Sequence, residues 1–247
     1  MSSSRNLQKM GGIAALLHGA AYVIAIFVFF AVLAPLLTAE PHEHVAFIAD
    51  NQATMYAMIL ISYWVTGGTL VIMVLALYER LKTASPALMQ IATAFGLIWA
   101  ALIIGSGNLM LADIGVVTGL YAENPMQAET VWLTLDAVET GIVSGNEIVG
   151  SLWVLLLSLA ALQGKRLPRL MNYFGVVLGV MGIVTGLLAF IPAVKDIIMN
   201  FGLGMVVWSL WVGVVMWRRS TIEAAQNNKN DLSAELNMAA INQSWRP

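Results

Sequence analysis

Six apolar stretches alternate with short polar segments along the chain, near residues 11–36, 55–78, 87–107, 143–162, 170–192 and 197–217. Each is long enough for a membrane-spanning helix, since a hydrocarbon core about 30 Å thick needs about 20 residues. Between the first two lies the polar stretch Thr38 to Asn51, and between the third and fourth a longer segment carrying Tyr121, Glu123, Asn124, Pro125 and Glu129. Ser85 and Pro86 suit a helix start as N-cap and first helical residue. Gly164 to Pro168 and Ile191 to Asp196 form the later breaks. The pattern predicts an all-α, polytopic bundle of six antiparallel spans over residues 1–219, followed by a polar, Asn-rich tail over 220–247. The fourth span reads as helix from about Ala128 to Leu162, so the third and fourth helices extend past the bilayer on one side.

Composition agrees. The chain is 59% hydrophobic and 11% charged with a mean hydropathy of +0.80, against about 45–50% and 25% in ordinary soluble domains. A soluble enzyme is therefore excluded. With a net charge of −2 there is no basic face to neutralise phosphates, which sets nucleic acid aside as a partner. The lack of Cys removes disulfides, iron–sulfur ligation and thiol nucleophiles.

The distribution of charge orients the spans, because loops rich in Lys and Arg stay on the cytoplasmic side. With both termini inside, Arg5, Lys9, Arg80, Lys82, Lys165, Arg166, Arg169, Arg218, Arg219, Lys229 and Arg246 are all internal, and Lys195 is the one cation left outside. The acids Glu40, Glu43, Asp50, Glu123, Glu129 and Asp196 are external. A signal peptide fits poorly: the run from Gly11 to Leu37 far exceeds a signal core of 7–15 residues, and Leu37 stands where a small residue belongs.

Helices in lipid approach through small residues. Gly175, Gly179, Gly182 and Gly186 give the fifth helix two GxxxG matches, predicting a place in the middle of the bundle or, alternatively, a homo- or hetero-oligomer contact. Trp64, Trp208, Trp211 and Trp217 read as interface anchors or packing.

The most informative polar locus runs through the fourth span. At 100° per residue Glu147 stands about 20° from Asp136 and Glu139 about 60° to the other side, so the three carboxylates share a stripe. On the third helix Trp99, Ser106 and Asp113 recur every seven residues and form a matching face, while Asn108 points elsewhere. These residues, with Asn146, predict an acidic cavity open to the outside and centred on Glu147. A carboxylate in hydrocarbon must be protonated, face water, or meet a donor or cation. The structural alternative is that Glu147 bonds to backbone freed by a kink at Gly141 or Gly145.

His18, about two turns inside the first span with Tyr22 on the same face, is either a core histidine or a proton relay. His42, Glu43 and His44 place metal-capable side chains together, although no further His or Cys completes a set. No cofactor is implied.

Three segments carry a family resemblance: Phe95-Gly-Leu-Ile-Trp99, Leu120-Tyr-Ala-Glu-Asn-Pro125, and Gly145-Asn-Glu-Ile-Val-Gly-Ser-Leu-Trp153 running on to Leu156. Over about residues 11–219 the chain resembles a family of bacterial multi-pass membrane proteins that carries a domain-of-unknown-function label. The resemblance implies six spans in the bacterial cytoplasmic membrane and no activity. His42 and His44 match no pattern of that group. Three functions remain open: a protein that binds or transports a cation, proton or small amine-bearing solute at Glu147; an accessory or scaffold subunit of a membrane complex; and an intramembrane acid/base enzyme, for which no nucleophile–base pair is evident.

Overall fold

The computed structural model describes residues 2–187 and 201–221, and all regular elements among them are helical. α1 (Ser2–Val28) passes into a π-helical turn (Phe29–Leu33) and a 3-10 turn (Ala34–Thr38). A short α2 (Pro41–Asp50) follows. The second span is one continuous rod: α3 (Gln52–Ile59), a π-helical segment (Leu60–Val65) and α4 (Thr66–Leu81). Then come α5 (Pro86–Glu123), α6 (Pro125–Gly164), α7 (Arg169–Leu187) and α8 (Phe201–Thr221). Six helices are long and apolar enough to cross a membrane, and the chain is a multi-pass membrane protein. The connector at 191–196 and the tail from 222 onward lie outside the described residues.

Two connections differ from the sequence reading. The expected loop from Tyr121 to Thr130 is a single residue. Asn124 closes α5 by donating its N–H to Leu120 O (2.7 Å) and opens α6 by accepting the Gln127 N–H on its side-chain oxygen (3.2 Å). The polar stretch after the first span folds as α2 because Glu40 and Glu43 form a capping box, with Pro41 at the first helical position.

One uninterrupted antiparallel register runs from Asn124 through the α5–α6 hairpin. A Cβ built on Gly150 would lie 2.5 Å from Trp99, and one on Gly96 would lie 2.7 Å from Trp153. Further out, Asp113 and Asp136 stand close enough to interact electrostatically. In all three pairs the residue numbers add to the same total. The glycines are the slots that admit the indoles, and Gly175 does the same for Trp208. Trp99, Trp153 and Trp208 form a buried row with ring centroids 5.6 and 5.5 Å apart. Around it pack Met73, Leu77, Met89, Leu157 and Met216, all fully buried.

α7 corrects an expectation. Leu170, Tyr173, Val177, Val180, Val184 and Leu187 are exposed along one side, so α7 lies at the edge of the bundle rather than in its middle. Its glycines turn inward: Gly179 meets Leu155, Gly182 meets Ser151 and Phe201, and Gly186 meets Ile148. The stripe read as a possible oligomer contact is already filled by α6 and α8 of the same chain. α1 uses small residues in the same manner, with Gly11 against Ala76, Gly12 against the Trp217 backbone and Gly19 against Leu210.

The two ends of the bundle carry opposite charge. Arg80, Lys82, Lys165, Arg166, Arg169, Arg218 and Arg219 lie at one end, and α2 with Glu40, Glu43 and Asp50 joins Glu123 and Glu129 at the other. At the basic end Gln8 donates to Ala76 O (2.7 Å) and accepts from Arg80 (3.2 Å), and Arg219 donates to Arg166 O (2.9 Å).

Candidate functional site

The second span does not stay α-helical where it passes the cavity. Widening to π geometry over Leu60–Val65 leaves carbonyls without their regular partner. In an apolar surrounding such groups must be satisfied locally. The Thr66 hydroxyl donates to the Ser62 carbonyl and reaches the Tyr63 carbonyl (3.2 Å), and the Thr69 hydroxyl bonds the carbonyls of Val65 (2.6 Å) and Thr66 (3.0 Å). His18 completes the set from α1. Its Nδ1 lies 3.0 Å from Thr66 O, and since a carbonyl only accepts, Nδ1 carries the proton. Nε2 then presents a lone pair with no hydrogen-bond partner among the described residues. The imidazole is fully buried, edge-on to Tyr22 at 5.0 Å and to Trp99 at 6.4 Å. It fastens the first span to the second beside the widened segment.

Both π-helical segments border the same hollow. A cavity of about 520 Å³ is enclosed by Tyr22, Phe29 and Phe30 from the first span, Met58, Ser62 and Tyr63 from the second, Trp99 and Ile103 from α5, Asn146 and Glu147 from α6, and Phe201, Met205 and Val206 from α8. Glu147 is the one carboxylate in this wall among the described residues, and the surface around it is mostly apolar. The expected acidic cavity is thus an apolar cavity with a single acid. Glu147 Oε2 and Asn146 Oδ1 are buried atoms with no hydrogen-bond partner among the described residues. The alternative in which Glu147 caps a kinked backbone finds no such bond at that oxygen, and α6 continues as helix through Gly141 and Gly145.

The other candidates separate into a second group. Asp113, Asp136 and Glu139 interact electrostatically with one another but do not line the cavity. Asp113 is buried with Oδ1 unpartnered among the described residues, Glu139 is half-buried, and Asp136 is exposed. Ser106 is buried, also away from the cavity, and Asn108 accepts a hydrogen bond from Trp64 (3.2 Å). At 1.5 Å per residue Glu147 stands about 26 Å from the end of α6 at Gly164, while Asp136 stands about 42 Å away. With Lys165 and Arg166 marking one boundary of a core about 30 Å thick, Glu147 lies just inside the opposite boundary and Asp136 well beyond it. The shared stripe on α6 is therefore one face at two depths, and only its Glu147 end borders the cavity.

The histidines of α2 are engaged differently. The Glu43 carboxylate accepts the Glu40 N–H (2.8 Å) as part of the cap, and His44 stacks on Trp132 with centroids 4.9 Å apart and planes 20° from parallel. His42 is exposed. Among the described residues no three His, Cys, Asp or Glu side chains come together as a metal site.

Sequence reasoning did not find Ser62, Phe29, Phe30 or the α8 wall. The available signal was the Ser62, Thr66, Thr69 spacing, which puts hydroxyls one turn apart where backbone needs them.

The sequence pattern of a domain of unknown function, DUF4386, matches residues 13–217. The chain belongs to the DUF4386 family. The matched region takes in all six apolar helices, so the DUF4386 domain is the helical bundle itself. No curated protein and no solved structure matches the chain.

Proposed function

We propose that this DUF4386 protein binds, and exchanges across part of the membrane, a cation or a small amine-bearing solute at Glu147. One observation carries the reading: Asn146 and Glu147 line a cavity large enough for a small molecule, and Glu147 Oε2 and Asn146 Oδ1 are buried beside it with no donor among the described residues. Buried acceptors left unpaired cost free energy, and an ammonium or a proton supplies what the site lacks. Small-molecule sites of about 300–1,000 Å³ are mostly apolar with a few placed polar groups, and this cavity fits that description. We orient the bundle with both termini in the cytoplasm and the basic end inside, and place it in a bacterial cytoplasmic membrane. The Glu147 end then faces outward. Lipid is the surrounding partner, and no nucleic acid is involved.

Thermal unfolding of wild type and Glu147→Gln in detergent at two pH values, with divalent metals, polyamines and quaternary amines, tests the reading. Ligands that bind the folded state raise the melting point with concentration. Stabilisation of wild type and not of the variant supports the proposal. If no cation or amine shifts wild type, the Glu147 reading falls and the accessory-subunit reading takes over.

A further inference from the structure

The cavity has a side door. A second hollow of about 360 Å³ lies between the first and second spans and shares Ala25, Met58 and Ser62 with the central cavity. The remainder of its wall, including Ile24, Ala53, Ala57 and Ile61, belongs to the faces of those two helices. Ile24, Ala53 and Ala57 are exposed, on segments that lie within the apolar spans. The shared residues Met58 and Ser62 stand at and within the widened π-helical segment, and with Ala25 of the first span they separate the second hollow from the central cavity by one layer of side chains.

We infer that the ligand is an amphiphile: an ammonium head paired with Glu147 and Asn146, joined to an aliphatic body lying against Phe29, Phe30, Ile103 and Met205, which enters laterally from the membrane between the first and second spans. This rests on the reading of Glu147 as a cation-binding residue and names the class of ligand. Three observations converge. The cavity wall is overwhelmingly apolar, so a small hydrated cation leaves most of it facing water that the surface disfavours. The acceptors lie at one level, just inside the boundary of the hydrocarbon, which is where the head of a membrane-dissolved amine resides. The second hollow lies between the facing sides of the first and second spans, both of them apolar helices.

A free long-chain amine and an aminophospholipid share this chemistry, and the experiment separates them. The protein is placed in nanodiscs of phosphatidylcholine, and melting is followed with dodecylamine, butylamine and dodecanol; a parallel sample replaces phosphatidylcholine with phosphatidylethanolamine. We expect dodecylamine to stabilise wild type at concentrations at least tenfold below butylamine, dodecanol to give no shift that depends on Glu147, and Glu147→Gln to lose the dodecylamine effect. A shift on changing phosphatidylcholine for phosphatidylethanolamine, lost in Glu147→Gln, assigns the phospholipid as the source; its absence beside a dodecylamine response assigns the free amine. Ala57→Trp fills the outer hollow without touching the cavity, and in stopped-flow mixing it slows dodecylamine binding tenfold or more while leaving butylamine unchanged. Equal response to butylamine and dodecylamine overturns the amphiphile and leaves the Glu147 reading standing. Failure of every amine on wild type overturns both. An unchanged dodecylamine rate in Ala57→Trp overturns the lateral route.

Discussion

The half of the bundle toward the basic end and the half toward the acidic end are built to different standards. Toward the basic end α4, α5, α6 and α8 meet in a dense core in which Leu77, Leu81, Leu157 and Met216 are all fully buried, bordered by indoles fitted against glycine backbone. Toward the acidic end the same helices part around a cavity, and two helices widen to π geometry. Dispersion and close approach, the forces available to helices in lipid, are concentrated in the first half. The second half gives up packing for space and for acceptors, as functional regions drawn from the less stable part of a protein do.

The largest expected break in this contrast comes from Trp153→Ala. The side chain is fully buried between Trp99 and Trp208, and its removal costs about 3–5 kcal/mol, read as a loss of unfolding free energy in mixed detergent. Ile103→Val at the cavity wall costs about 1 kcal/mol or less, since the space beside it already exists. Equal losses in the two variants would erase the difference between the halves. Next in size is Gly150→Val, which forces Trp99 from its slot; overpacking costs about 1–3 kcal/mol and also weakens amine binding, because Trp99 is a wall of the cavity. Thr66→Val removes a hydroxyl that serves the Ser62 and Tyr63 carbonyls and costs about 1–2 kcal/mol, with faster amide exchange over residues 60–65 than over 70–81. The smallest effect belongs to Glu147→Gln without ligand: its Oε2 has no hydrogen-bond partner to lose among the described residues, so the melting point stays the same or rises. A marked fall there shows that Glu147 holds the fold together and ends the contrast. Independently, a Cys placed at Glu40 labels from the outer face of the membrane, and labelling from the cytoplasm reverses the orientation.

Legibility in the sequence followed the strength of the physical signal. Hydropathy runs of 20 residues survive any detail of packing, so the six spans could be read directly. The seven-residue spacing of Trp99, Ser106 and Asp113 puts the three on one face of α5, and of these only Trp99 lines the cavity. Asn146 and Glu147 announced themselves as polar residues in an apolar run. What could not be read was the π geometry of Leu60–Val65, where no Gly or Pro interrupts a sequence that suits an ordinary helix. Helix α2 is legible in principle, since Glu40, Pro41 and Glu43 are a helix start, although a short polar stretch carrying His42 and His44 suits a loop equally well. For α7 the glycines signalled close approach without saying which neighbour approaches, and that neighbour is set by the tertiary arrangement.

The one-residue turn at Asn124 has a mechanical meaning. Because the same side chain and amide finish one rod and begin the next, the two longest helices cannot slide along each other without breaking both caps. The hairpin therefore acts as a stiff lever whose tip stands outside the bilayer, clasped by α2 through Val45 against Val117 and Ala128. The register set at that tip holds down α6 as far as Trp153, so the height of Glu147 against α5 is fixed by the turn at Asn124.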